Sequence, residues 1–342
     1  MTVPIPLPIV LLGYGPVARG YAAVLRARRT EFRGRYGVDP RVVAIRGRER
    51  QILIPDGGEP PDRSRWAART PLGELLAAAA PAVVAQAVPS HPAGAAEALA
   101  DGLTSLAARA HLVTATKSPL LTGWSELHAA AHRYGRDIRI SGATGAALPA
   151  GDLARTGLRG FEVDEVGGCV NGTASFVLDR LGAGMTTGAA AARDRGIAEA
   201  DATADLSGAD AATKIRLLAG LLWGWDVAAC RVEAEPITAG TADRAVRASG
   251  RGAVLRQIAS ARAGDPGRVL VALREFPRTA VPFGALTGPE KAVEFRCGEA
   301  GDITVSGGRS SPLGAALAMV KDTLALLVDP VSGRARTLPV VE

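Results

Sequence analysis

Residues 8–25, "PIVLLGYGPVARGYAAVL", constrain the fold more than any other part of the chain. An unbroken aliphatic run stops at Gly13-Tyr14-Gly15, and Val17, Tyr21 and Val24 then recur at helical spacing. Strand, tight turn and helix in that order form the first unit of a dinucleotide-binding sheet. Gly13 permits the turn and Gly15 lets the backbone approach a pyrophosphate. Pro16 and Val17 open the helix whose N-terminus faces the phosphates, and Ala18 is small enough for helix and strand to pack closely.

The next aliphatic run, "RVVAIRGRER", ends in Arg46, Arg48 and Arg50. An acidic side chain after this strand holds the ribose hydroxyls of NAD; arginine there accommodates a 2′-phosphate. Arg46 and Arg48 therefore predict NADP, with NAD as the lesser cofactor. The alternation continues. "LGELLAAAA", "PAGAAEALADGL" and "WSELHAAAHRYG" read as helices, and "AVVAQAVPS", "AHLVTATKSPL" and "DIRIS" as strands. The expected fold class is α/β, with a Rossmann-type doubly wound parallel sheet whose ligands sit at the carboxyl ends of the strands, where Ser90 and Lys117 fall.

The chain of 342 residues carries a net charge of +6, but the arginines are dispersed and only 4% of residues are aromatic, so no stacking surface accompanies the basic residues. That excludes a nucleic-acid partner and favours an anionic small molecule. Cys169, Cys230 and Cys297 lack paired spacing, which argues against a disulfide framework or a zinc site and for a reducing cytoplasm. The apolar N-terminus lacks a basic flank and runs into the glycine turn, so it reads as a strand and not a leader. No charge-free apolar run has the length of a membrane span.

After residue 140 the rhythm changes. The runs "GCVNGT", residues 168–173, and "AEADATADLSGADAATK", residues 198–214, resemble the signature region of homoserine dehydrogenases. The likeness extends back through "VTATKSPL" and forward to "GGRSSPLGAALAMVKDTL". It implies reduction of L-aspartate 4-semialdehyde to L-homoserine with NAD(P)H. It also implies a second, α+β catalytic and dimerisation domain, giving a nucleotide domain over 1–140, a catalytic domain over 141–310 and a C-terminal helix over 311–342 that returns to the first. Lys214 and Asp210 would act at the substrate oxygen, and Lys117 beside the nicotinamide. Asn171, Gly172, Thr173, Glu199 and Asp205 would receive the substrate, with Ser90 and Thr116 lining the cofactor. A homodimer is implied as well. The tail after the last helix is too short for the threonine-sensing ACT module of longer members.

Several positions depart from the family pattern. Thr116 replaces an asparagine, Ile197 a tyrosine and Ala202 a proline. Ser141 stands where a family glutamate joins backbone carbonyls around a monovalent cation, which leaves the metal undetermined. A paralogue of specialised metabolism acting on a related semialdehyde or keto substrate is the alternative, and a non-catalytic NADP-binding protein a further one. As a plain helix pair, Asp210 and Lys214 would be an ordinary ion pair four residues apart behind a Ser207 or Asp205 cap.

Overall fold

The computed structural model describes residues 3–186, 203–308 and 310–327. The chain divides into two compact units, Met1–Ala143 with Ala315–Glu342, and Thr144–Gly314.

The first unit is built on a seven-stranded sheet in the order β4-β3-β2-β1-β5-β6-β7. Its strands are β1 (Ile5–Leu12), β2 (Val38–Arg46), β3 (Arg50–Leu53), β4 (Ala67–Ala68), β5 (Val83–Gln86), β6 (His111–Thr114) and β7 (Ile138–Arg139). Strand β1 sits centrally and pairs in parallel with β2 and β5. Its residues from Ile9 to Leu12 are fully buried, as expected of a strand covered on both faces. The parallel pairing runs on through β6 to β7. The far edge differs from the expected all-parallel sheet: β3 and β4 add in antiparallel fashion to β2. Only three residues, Gly47 to Glu49, separate β2 from β3, too few for a helical crossover, so the chain must double back.

Helix α1 (Pro16–Ala27) packs on this sheet through Ala18, Tyr21, Ala22 and Leu25. Further helices of this unit include α2 (Leu72–Ala79), α3 (Ala95–Ala107) and α4 (Trp124–Tyr134). The last described helix of the chain, Pro312–Leu327, contributes Ala316, Met319 and Val320 to the core that contains Ile9 and Leu11. Thr323 on that helix hydrogen-bonds the buried hydroxyl of Tyr21 at 2.8 Å.

The second unit carries a six-stranded sheet in the order β13-β12-β8-β10-β11-β9. These strands are β8 (Glu165–Cys169), β9 (Arg231–Ala234), β10 (Ala253–Arg262), β11 (Arg268–Pro277), β12 (Lys291–Arg296) and β13 (Asp302–Gly307). All but the β9–β11 pair are antiparallel. Helices α5 (Gly172–Gly182), α6 (Ala209–Trp223) and α7 (Thr241–Gly250) belong to this unit. Ala211, Ala212, Ile215, Leu218 and Ala219 of α6 bury against Val166, Ala259, Val269 and Val271 of the sheet. Among the described residues, no helix is long and apolar enough to cross a membrane.

Candidate functional site

In the first unit the site is made largely of backbone. Gly13 has φ +93°, and a Cβ there would lie 2.3 Å from the Ala87 carbonyl oxygen, so both conformation and space require glycine. Gly15 is different: its φ of −80° suits any residue, and a Cβ would meet nothing within 4 Å. No protein atom demands glycine at that point, which is the property of a residue kept small for a ligand. Helix α1 starts directly after it, with Pro16 at its first position, no side-chain cap and no acidic residue in its first turn. Its amide dipoles therefore face outward unneutralised, as a pyrophosphate requires. Val17 and the buried Ala18 sit in the same turn. These residues fit a dinucleotide.

Thr116 and Ser90 bind together the loops that follow β5 and β6. The Thr116 hydroxyl accepts from the Val88 amide at 3.0 Å and donates to the Val88 carbonyl at 3.1 Å. Ser90 Oγ accepts from the Lys117 amide at 2.8 Å. Thr116 is fully buried, so its hydroxyl shapes the strand ends, whereas Ser90 is exposed and Lys117 half-buried.

The two arginines assigned to the 2′-phosphate part company. Arg46 is only 8% exposed, and its guanidinium donates to Gln51 Oε1 at 2.9 Å and to the Thr70 carbonyl at 2.6 Å. Burial pushes its pKa below the ordinary value. Its side chain turns inward because it ends a strand flanked by two others, a direction that strand-end position alone does not reveal. Arg48 is exposed in the following turn. A second exposed cation, absent from the sequence reading, is Arg63. Its guanidinium donates to the Tyr14 carbonyl at 2.7 Å, within the glycine turn, and lies 5.2 Å from the Tyr14 ring centroid and 5.9 Å from that of Trp66. No periodicity or motif marks Arg63, since it reaches the turn from 49 residues away.

In the second unit the site is made of side chains from separate segments. Asn171 precedes α5, and its Oδ1 accepts the Ala174 amide at 2.9 Å as the helix cap. Its Nδ2 donates to Asp205 Oδ1 at 2.6 Å and to Asp210 Oδ2 at 2.8 Å. Asp210 also binds Lys214 Nζ at 2.6 Å, and that ammonium donates to the Val170 carbonyl at 2.9 Å. The Lys214 and Asp210 side chains are only 12% and 13% exposed, unlike a solvated helix pair. Among the described residues, two carboxylates and one ammonium give this cluster one negative charge in excess, suited to a cationic amino group.

Gly208, not Ser207 or Asp205, occupies the cap position of α6. Its φ is +83°, and a Cβ would approach Val271 Cγ1 to 2.9 Å, so glycine brings the start of α6 against β11. Asp205 is thereby left to Asn171, with its backbone carbonyl accepting from Gln257 Nε2 at 3.4 Å. Thr173 is buried, and a Cβ on Gly172 would lie 3.0 Å from the Pro289 carbonyl oxygen, so the start of α5 is closely packed. Burial pushes the Cys169 thiol up, so no thiolate chemistry arises beside the cluster. Glu199, together with Ile197 and Ala202, lies outside the described residues.

The monovalent cation implied by the resemblance finds no matching residues here. Ser141 is held by Asp322, through its amide and hydroxyl, and by Lys321 Nζ at 2.8 Å. Further along the same segment, the Gly145 carbonyl accepts from the ammonium of Lys291 at 2.7 Å. The carboxylate beside Ser141, that of Asp322, is already taken up by Ser141 and Lys321, and the Gly145 carbonyl already holds an ammonium. Among the described residues no group of three or more His, Cys, Asp or Glu side chains is placed to hold a metal.

Comparison with known proteins gives the family and the fold. The homoserine dehydrogenase family model matches residues 149–324. A homoserine dehydrogenase of Methanocaldococcus jannaschii is 27% identical over 275 residues, covering 75% of this chain and 81% of its own. Two longer homoserine dehydrogenases, matched at 32% and 37% identity, are spanned over only 40% and 31% of their length. The crystal structure of a homoserine dehydrogenase from Thiobacillus denitrificans superposes with a TM-score of 0.79 at 23% identity, covering 95% of this chain and 74% of its own. A hyperthermophilic archaeal homoserine dehydrogenase in complex with NADPH gives 0.78 at 20% identity, covering 94% and 98%. The matched segment of half the chain contains the cluster around Asn171, Asp205, Asp210 and Lys214, and the chain belongs to the homoserine dehydrogenase family of NAD(P)-dependent oxidoreductases.

Proposed function

We propose that this chain reduces L-aspartate 4-semialdehyde to L-homoserine, with Lys214 as the group that neutralises the developing oxyanion. One observation carries the assignment: the Asn171 amide bridges Asp205 and Asp210 while Asp210 fixes Lys214 against the Val170 carbonyl. Two of the three ammonium hydrogens of Lys214 are thereby spent on the protein. The third is left to donate to a substrate oxygen, where charge builds as the carbonyl is reduced. Asp210 keeps the lysine in place. Asp205 and the excess negative charge favour the substrate's ammonium end, a role in which Glu199 joins them.

The bound cofactor supplies the hydride. Gly13, Gly15, Pro16, Val17 and Ala18 would hold its pyrophosphate at the start of α1, with Ser90, Thr116 and Lys117 at the strand ends. We assign NADP as the preferred form because Arg63 is exposed on the glycine turn, Arg48 is exposed just after β2, and Arg46 supports the strand end from within. Lys117 belongs at the nicotinamide end by the same reading.

Mixing the protein with NADPH and aspartate semialdehyde and following the loss of nicotinamide absorbance tests the substrate. Turnover on that substrate abolished by Lys214→Ala is the expected result, and rapid turnover only on another semialdehyde would redirect the assignment. A homodimer in the cytoplasm completes the proposal. Among the described residues, strands β13 and β9 stand at the edges of the second sheet, and that unit's three cysteines are free thiols suited to a reducing compartment. A mass measurement at micromolar concentration that finds only monomer would remove the dimer.

A further inference from the structure

Lys291 is the first residue of β12 and is 1% exposed, one of the largest fully buried side chains in the described chain. Burying an ammonium is costly unless its hydrogens are taken up, so its partners bear on its use. One partner is the Gly145 carbonyl, 2.7 Å away and 146 residues distant in sequence. The same carbonyl also accepts the Leu148 amide at 3.1 Å, closing a tight turn. The turn is strained. Ala146 has φ +51°, a conformation a residue with a side chain rarely adopts, and a Cβ on Gly145 would meet the Leu148 carbonyl oxygen at 2.2 Å.

The turn and the lysine are joined a second way. Lys291 pairs with Gly307 across the β12–β13 ladder, and a Cβ on the adjacent Gly308 would lie 3.2 Å from the Leu148 amide nitrogen. Two residues before Lys291, the Pro289 carbonyl lies 3.0 Å from where a Cβ on Gly172 would stand. Gly172 directly follows Asn171, so one short stretch of chain touches both the strained turn and the start of α5.

We propose that Lys291 is a built-in monovalent cation: its ammonium takes the place on the 145–148 turn that a dissociable Na⁺ or K⁺ would fill, and through Pro289 positions the Asn171 end of the catalytic cluster. A covalently tethered ammonium has the charge and near the size of K⁺ and loses no translational freedom on binding. The chain is then independent of monovalent metal in both folding and turnover. Lys291 is a positioning residue and touches no reacting atom. The effect on turnover rests on the function proposed above, whereas the effect on folding does not.

The test measures thermal melting of the ligand-free protein in chloride salts of sodium, potassium and choline at equal ionic strength, beside steady-state turnover in the same salts. Midpoints and kcat should be the same in all three. A wild-type midpoint that rises in sodium or potassium over choline overturns the proposal, even if the substrate assignment fails. Lys291→Ala opens room for an ion. It should lower kcat on the order of tenfold or more, as displacement of a positioned group does, and potassium or ammonium should restore most of that loss where choline does not. Lys291→Arg, which keeps the charge, should retain more activity in choline than Lys291→Ala. A folded Lys291→Ala that loses activity and responds to no cation would overturn the charge-substitution role. Should Lys291→Ala fail to fold, the wild-type salt series decides alone.

Discussion

The candidate sites of the two units are built from different materials. In the first, a bound cofactor would face backbone: a glycine turn, a bare helix end and strand termini within residues 13–18 and 88–117. In the second, a substrate would face side chains on residues 171, 205, 210 and 214, brought together by one amide. A backbone site tolerates loss of any single side chain, because its donors belong to the fold. A side-chain site concentrates its function in a few atoms and fails with them. The contrast predicts where substitutions are felt.

The largest effect should come from Lys214→Ala, lowering kcat by on the order of 10² to 10⁴ while leaving NADPH affinity within about twofold. Stopped-flow binding beside steady-state kinetics checks both halves of that statement, and a large loss of cofactor affinity would break the division of labour. Lys117→Ala tests the one side chain on which the first unit is asked to depend, and a comparable loss is expected.

Asn171 sharpens the comparison within the second unit. Asn171→Ala removes a helix cap and the bridge together, and should cost about 1 to 2 kcal/mol of stability as well as turnover. Asn171→Asp keeps an acceptor for the Ala174 amide but sets a third carboxylate beside Asp205 and Asp210. Turnover should then fall further than the melting temperature. Equal behaviour of the two variants would show that the bridge is incidental.

In the first unit the side chains should matter less. Arg48→Ala with Arg63→Ala should weaken NADPH by roughly 1 to 3 kcal/mol and leave NADH nearly unchanged, the loss expected for one or two charge-assisted hydrogen bonds. Isothermal titration with both cofactors measures it. Arg46→Ala should instead destabilise the unit, since Gln51 and Thr70 lose their donor.

The smallest effect is one of pH. Burial first, then Arg136, lowers the His111 pKa from 6.5 to about 4, and neutral Nδ1 accepts the Asp137 amide. The unfolded chain therefore binds this proton at a higher pH than the folded one. The histidine's stabilisation is complete above about pH 6.5 and is lost as pH falls toward 4. Its share is on the order of 1 to 2 kcal/mol, allowing for solvent around a half-buried ring. His111→Gln should flatten the melting curve across that window without altering turnover at neutral pH.

The first unit was the more legible because its site is written locally. Gly13, Gly15 and Ala18 lie within six residues, and the strand, turn and helix that contain them follow from one hydrophobic pattern. What stayed hidden there was side-chain direction and long-range approach. Arg46 and Arg48 look alike in a string of arginines, yet one ends a strand inside the sheet and the other sits in the turn beyond. Arg63 reaches Tyr14 only through the antiparallel edge, which hydrophobic pattern did not distinguish from loop. In the second unit Asp210 and Lys214 announce a shared helix face by spacing alone. That Asn171 meets them needed the signature resemblance, because nothing in "GCVNGT" by itself specifies a contact 34 or 39 residues away. Lys291 left no sequence signal, since a lysine opening a strand reads as solvated until the turn it holds is seen.

One consequence follows from the double duty of the Asn171 side chain, whose oxygen starts α5 while its nitrogen gathers the carboxylates. In the folded state the cap of α5 and the bridge between the carboxylates share one side chain, so each helps to hold that side chain in the orientation that the other uses. The ordering entropy of those acids is lost during folding and not on substrate arrival, which leaves more of the binding free energy to appear as affinity. It also restricts how the pocket can diverge. A change of substrate by removing this asparagine would also weaken the start of a helix, which favours new specificity arising in residues around the cluster while its centre is kept.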